Sequence, residues 1–428
     1  MVPRVTKRRV LGVVVLVLVG AFAFASSDRC GEWPSTAPTL GMLGQGAGDL
    51  VVGAAKTAVV LPGAVTVGGY GPLRSSATSG DPVYARATFV EVGGQRFGLV
   101  SLEVLLLTRP MVAAIREGSD FPIVVTATHA HSSVGQFDRR LASQVAALGS
   151  FEPAVETALV TAARAALAQA RKETSPVAME ARSFSTAAFV RARSGDAVDT
   201  RGLEVSFVKP DGARLARWLL MAAHPTLAPR RGDAFDTDWP GVFAETGDGV
   251  TLVLQTSVGN ASVNKEVAPS EQDVVTQLGA AQEHSLRVDG CERPTLGIAG
   301  ARVSLPHPDG SRLAPWPFRA AAENALCAAA EMDVEVMMVR LGCVSLLALP
   351  VEPSFATAQQ LEKLTGATRV LALSNGYIGY LEPAEVIRNR LGEAKRQWFG
   401  PELYEQLASA SLFVAAASAP GGTNVSGK

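Results

Sequence analysis

The chain is poor in the residues that staple small proteins or mark nucleic-acid binders. Its 428 residues hold four cysteines, Cys30, Cys291, Cys327 and Cys343, spaced too widely for a disulfide-dense scaffold or a Cys-based zinc finger. Neither charge sign is in excess: 39 basic residues against 40 acidic ones leave a net charge of −1, which excludes the basic character expected of a nucleic-acid partner. Only 18% of residues are charged and 47% are hydrophobic, so the composition is that of a folded protein and not of a disordered one. No internal repeat is visible, and no Ser/Pro-rich linker divides the chain. Histidine is scarce at five residues, so each one can be followed.

The one long apolar run lies at the start. Arg4, Lys7, Arg8 and Arg9 precede Val10–Ala25, which closes on Ala23-Phe24-Ala25. Basic head, short apolar stretch and small-residue exit predict a signal peptide over residues 1–25, or alternatively a membrane anchor. The expected location is outside the cytoplasm: periplasmic, secreted or anchored through this segment. Oxidising surroundings would permit disulfides, and Cys291 with Cys327 is one candidate pair. Residues 413–428, small and Gly-rich at their end, read as a flexible tail.

Between these ends, β-rich and helical patterns alternate. Phe97–Leu107 and Pro122–Thr128 read as buried strands flanking a helix at Met111–Glu117. Apolar residues at helical spacing predict a long helix over Ala154–Arg171. Leu203–Val208 and Leu215–Ala223 flank the turn Lys209-Pro-Asp-Gly212, and Val334–Arg340 and Cys343–Leu349 form a second hairpin. Thr251–Gln255 and Val370–Leu373 are short strands, and Ser354–Leu364 and Ala384–Ala410 read as helices. The pattern predicts one large α/β domain, a mixed β-sheet with flanking helices, over about residues 40–412.

Three histidines sit at strand exits. Thr128-His129-Ala130-His131-Ser132 follows one predicted strand and Ala223-His224-Pro225-Thr226 another. Strand ends opening into loops are where α/β enzymes gather reactive groups. Two further loops after apolar strands carry Glu352, in Leu349-Pro-Val-Glu352-Pro, and two tyrosines, in Asn375-Gly-Tyr377-Ile-Gly-Tyr380. A zinc centre needs three or four N, O or S ligands from separate elements. His129 and His224 offer two. Residue type alone does not select the rest, since a carboxylate before a helix and a tyrosine in a loop are ordinary features.

Taken together and in order, these segments resemble the catalytic N-terminal domain of the neutral/alkaline ceramidase family. Gly68-Gly-Tyr-Gly71 resembles its early M-G-Y-G turn, and Thr128-His-Ala-His-Ser132 its T-H-T-H-S-G-P loop. His224-Pro-Thr226, with Asp238, resembles H-P-[TV] followed by S-D-x-x-G. Gly259-Asn260-Ala-Ser262-Val-Asn264 stands where that family has G-D-V-S-P-N. Leu349-Pro-Val-Glu352 matches L-P-G-E, and Asn375–Tyr380 matches N-x-Y-x-x-Y. The resemblance implies a single zinc ion held by His129, His224, Glu352 and Tyr380. It implies His131 and Arg193 as catalytic groups, with Tyr377, Ser262 and Asp238 facing the substrate. The implied reaction is hydrolysis of the N-acyl amide of a ceramide-like lipid to a fatty acid and a sphingoid base. Association with a membrane surface is a further expectation.

Three departures accompany the resemblance. Asn260 replaces an Asp, Gly392 stands where relatives carry a second active-site Tyr, and the family's C-terminal immunoglobulin-like domain is expected to be absent. They keep two other readings open: a lipid-binding protein whose catalysis has weakened, and a zinc hydrolase of another amide or ester.

Overall fold

The computed structural model describes residue 31 and residues 37–419, apart from 72–74, 195–196, 230–231 and 317. The expected leader over 1–25 lies outside the described residues. Among them, no helix is long and apolar enough to cross a membrane.

Three five-stranded sheets form the frame. In the first, Leu50–Ala58, Tyr84–Val92 and Gln95–Leu102 run antiparallel, and Ile123–Ala127 then adds parallel to Gln95–Leu102. Helix Arg109–Arg116 makes that crossover. The second sheet repeats the plan with Ala178–Ser185, Arg201–Val208 and Arg214–Met221, then Val250–Gln255 in parallel after helix Asp238–Ala244. The third repeats it again with Thr295–Ser304, Asp333–Leu341 and Val344–Ala348, then Arg369–Leu371 in parallel after helix Phe355–Thr365. Three antiparallel strands, a helix and one parallel strand thus recur three times. The repetition is one of topology without shared residues, so the sequence conceals it.

Strand alternation explains how the three sheets pack. Side chains of period two point to opposite faces. Phe97 and Leu99, Trp218 and Leu220, and Met337 and Val339 all turn inward to one shared core. Their neighbours Val100 and Leu102 turn outward onto helices Arg109–Arg116 and Pro153–Lys172. Leu219 and Met221 pack toward helices Asp238–Ala244 and Glu271–Glu283. Val336 and Met338 pack toward Phe355–Thr365 and Glu402–Ala417. Burial on both faces is why these strands read as unbroken apolar runs. Across the shared core, the Trp218 indole donates to Thr88 Oγ1 at 3.1 Å, so its polar atom is satisfied where both residues are buried.

The α/β expectation holds, with three mixed sheets in place of one. Other expectations need correction. The long helix over Ala384–Ala410 is broken into Ala384–Arg388, a 3-10 turn at Gly392–Arg396 and helix Glu402–Ala417. Positive φ at Arg390, Gly392 and Gly400 forces the interruptions. That last helix continues to residue 417 with Val414, Ala415 and Ala417 buried, so the chain is packed beyond residue 412. Residues 420–428 lie outside the described residues. Cys291 pairs with Cys343 and not with Cys327. The bridge ties the segment before strand Thr295–Ser304 to the turn after Asp333–Leu341, and its thiols lie 52 positions apart.

A closed loop of that length is worth about 4 kcal/mol in the chain-entropy account of cross-links. Cys343→Ser should therefore lower the urea-unfolding free energy by about 2–4 kcal/mol. Equal midpoints for the oxidised protein and the variant would contradict that role.

Candidate metal centre

The histidines, the glutamate and the tyrosines of the site lie beyond the C-terminal ends of strands that belong to parallel pairs. His129 follows Ile123–Ala127, His224 follows Arg214–Met221, and Asn260 follows Val250–Gln255. Glu352 follows Val344–Ala348, and Tyr377 and Tyr380 follow Arg369–Leu371. Open parallel strands place ligands at their carboxyl ends, and here three such ends meet.

Buried hydrogen bonds lock the three sheets at this meeting point. Gln255, fully buried, donates to the Thr128 carbonyl at 3.1 Å and accepts from the Ala223 N–H at 3.3 Å. One side chain therefore spaces the residue before His129 from the residue before His224. Asn375 accepts from the Val125 N–H at 3.0 Å and donates its own N–H to the Val125 carbonyl at 2.8 Å. That pair fastens the tyrosine loop to the strand carrying His129. Among the described residues six other than glycine have positive φ, His129 (+70°), Asp238 (+55°), Leu373 (+54°) and Asn375 (+61°) included. Such conformations cost about 1–3 kcal/mol each and concentrate at functional sites.

At the centre, His129 Nε2 and His224 Nε2 lie 3.3 and 3.0 Å from Glu352 Oε2. All three residues are buried. His129 Nδ1 lies 2.7 Å from the Leu105 carbonyl, and His224 Nδ1 lies 2.9 Å from the Ala261 carbonyl. A carbonyl only accepts, so each Nδ1 must carry the proton and each Nε2 presents a lone pair. Glu352 Oε2 has no hydrogen-bond donor, whereas Oε1 accepts from the Tyr377 hydroxyl at 2.5 Å. Two lone pairs thus converge on an oxygen without a donor, offset on one side by the Arg193 guanidinium 2.8 Å from His224 Nε2. A cation resolves that arrangement. The donors fit a metal, with second-shell carbonyls and a tyrosine orienting them as such centres require.

The remaining predicted residues fall into two groups. His131, Tyr380 and Arg193 join the centre. His131 Nε2 is 3.3 Å from His129 Nε2, and the ligand nitrogens of His129, His131 and His224 all lie within 4.8 Å of one another. The Tyr380 hydroxyl is 3.4 Å from His224 Nε2, and Arg193 reaches His224 Nε2 at 2.8 Å and the Tyr380 hydroxyl at 3.2 Å. Burial, with His129 and His224 alongside, pushes the His131 pKa well below the usual histidine value. Burial and the Glu352 charge push the Tyr377 pKa well up, so its hydroxyl stays a donor.

Ser262, His131 and Arg193 line a cleft of about 700 Å³ that opens onto the centre. Tyr377 and Asp238 do not face it. Tyr377 orients Glu352. Asp238, expected to touch substrate, is fully buried; it accepts from the N–H groups of Leu227 (2.7 Å), Ala228 (2.9 Å) and Trp239 (2.8 Å). Burial pushes its pKa up to about 7 against those three donors. Its work is to hold the loop that follows His224. Gly392 has φ +54°, and a Cβ there would come within 2.9 Å of Glu382 Oε1, so the backbone at this position does not suit a tyrosine. Arg396, absent from the sequence reading, instead donates to the Tyr380 hydroxyl at 3.3 Å. It sits in a segment that reads as helix interior, which hid it. Arg191 and Lys265 also line the cleft.

No family model matches this chain, and no curated protein matches it. Solved structures do. A neutral ceramidase from Pseudomonas aeruginosa superposes with a TM-score of 0.69 at 16% identity, over 86% of this chain and 74% of that one. A ceramidase complexed with C2 gives 0.70 at 17%, over 86% and 75%. The fold is that of neutral ceramidase. The likeness resides in backbone arrangement far more than in residue identity.

Asp238→Asn keeps shape and tolerance of left-handed backbone but places an amide donor against two backbone donors. It should cost about 2–4 kcal/mol in urea unfolding and loosen residues 224–228 in hydrogen exchange. Unchanged protection of that loop would show that Asp238 does not hold it.

Proposed function

We propose that this protein is a zinc-dependent amidohydrolase that cleaves the N-acyl amide of a ceramide-like lipid, releasing a fatty acid and a sphingoid base. The observation that carries this reading is the convergence of two histidine lone pairs on a Glu352 oxygen without a donor. His129, His224 and Glu352 would hold the ion, with Tyr380 completing the set. Bound there, zinc would supply a water acidified to a pKa of about 7 and a Lewis acid for the amide carbonyl.

The chain's own groups do the rest. His131, at the cleft wall beside the centre, exchanges the proton that leaves the attacking water and reaches the departing amine. Arg193 and Arg396, both within hydrogen-bond reach of the Tyr380 hydroxyl, offer fixed positive charge to the oxygen that becomes negative in the transition state. Water adds across the C–N bond; a carboxylate and an ammonium leave. The Arg396 guanidinium is available where Gly392 supplies no hydroxyl, which favours an active enzyme over a weakened binding protein.

The setting belongs to the same reading. The Cys291–Cys343 bridge supports a location outside the cytoplasm. Trp316 and Phe318 are 87% and 65% exposed on a loop that Arg312 ties to the carbonyls of Ile387, Ala394 and Gln397. Exposed aromatics beside the segment carrying Arg396 suit contact with a lipid surface.

The zinc-loaded protein should release fatty acid from short-chain N-acylsphingosine. His131→Ala should lower kcat by about 10²–10⁴ while keeping its metal. His129→Ala and His224→Ala should lose both metal and activity. A fully metallated protein inert toward every N-acyl amide offered would sink the hydrolase reading.

A further inference from the structure

The cleft carries more charge than the scissile amide uses: beyond Arg193 and Arg396 it holds Arg191 and Lys265. Arg191, Arg193, Lys265 and Arg396 all line it, and among the described residues no carboxylate does. The whole chain has a net charge of −1, so four cations on one concave surface are a local concentration and not a reflection of composition. Among the described residues Arg396 pairs with Glu393 at 3.1 Å, and the Glu393 and Glu352 charges also act on Arg193. Arg191, Arg193 and Lys265 make no ion pair among the described residues.

Local geometry sets the cations in order. Strand Val190–Ala192 pairs with Ala261–Val263, placing Arg191 opposite Ser262. Arg191 and Arg193, two positions apart, share a face while the chain stays extended. Arg193 ends at the metal centre, 2.8 Å from His224 Nε2. Arg191 therefore continues the same row away from the reacting atoms. Lys265 follows the partner strand and is fixed by donating to the Thr226 carbonyl at 2.6 Å. Filling the cleft with a neutral molecule would strip water from Arg191 and Lys265 and return nothing to them, which is costly. An anion replaces that water with charge-assisted hydrogen bonds, and a cleft of one sign also draws anions in.

We propose that the substrate is an acidic N-acyl amide whose amine half carries a carboxylate or phosphate, recognised by Arg191 and Lys265 while Arg193 faces the scissile amide. This rests on the hydrolase reading for the reaction but not for the recognition. The shared chemistry is a compact oxyanion a few bonds from the amide nitrogen.

Three soluble ligands with one acyl chain test it: N-hexanoylglycine, N-hexanoyl-O-phosphoethanolamine and neutral N-hexanoylethanolamine. Binding is measured by calorimetry on the metal-free and zinc-loaded full chain, and kcat/KM on the loaded chain. At low salt, at least one acidic ligand should bind about tenfold more tightly than the neutral one, with the gap closing at high salt. Comparing the two acids distinguishes carboxylate from phosphate. Arg191→Ala and Lys265→Ala should each shrink the acidic-to-neutral ratio about two- to fivefold, as expected of exposed single ion pairs, and Arg191→Lys should retain it. Equal affinity for all three ligands, or a ratio indifferent to both alanine variants, overturns the proposal. Cleavage of all three with equal kcat/KM and equal affinity leaves the hydrolase standing and removes only this inference. Selective binding of the acids without cleavage of any removes the hydrolase and upholds the recognition.

Discussion

Everything in this structure depends on one electrostatic constraint: Glu352 Oε2, buried and without a donor, faces the lone pairs of His129 and His224. Left alone, three electron-rich atoms at such distances repel one another in a medium that screens poorly. The fold nevertheless forces them together. Leu105 and Ala261 fix the histidine tautomers through their carbonyls, and Tyr377 occupies the other Glu352 oxygen. Each of these partners holds the far side of a ring or carboxylate, and each removes a way for the cluster to relax. The cost of holding them is borne by three packed sheets.

The threefold recurrence of one strand plan explains how. Each sheet ends in a parallel pair, and a parallel pair opens a crevice at its carboxyl end. Three crevices pointing to one place deliver side chains from residues as distant in sequence as His129 and Tyr380. Gln255 and Asn375 stitch the strand ends together, so the spacing of the ligands is set by buried hydrogen bonds between backbone segments. A cleft rimmed by Arg191, Arg193, Lys265 and Arg396 then gives the centre its electrostatic character. Zinc would add to this positive field and the single Glu352 carboxylate would not cancel it.

Much of the centre was legible before the fold was known, because strand-exit motifs are local. His129 and His131 share one short segment, whereas Glu352 and Tyr380 were picked out by the family resemblance and not by spacing; the structure sets them side by side in a short parallel pair. What stayed hidden was nonlocal. Asp238 looks like a substrate contact by its motif, but its partners are the backbone donors of Leu227 and Ala228, which no spacing reveals. Arg396 reads as part of a continuous helix until positive φ at Arg390 and Gly392 breaks that helix and swings the guanidinium toward Tyr380. Cys291 has Cys343 as its partner because strand pairing in the third sheet brings their segments together. The three-sheet plan itself repeats connectivity and not residues, so no self-comparison of the sequence could find it.

Direct titration of the metal-stripped protein with zinc, comparing wild type with Glu352→Gln, tests the central claim most simply. The account predicts one tight equivalent in the wild type and affinity weakened by at least about a hundredfold in the variant, with the fold intact. Wild-type protein that binds no zinc, or a Glu352→Gln variant that binds it equally well, would contradict it.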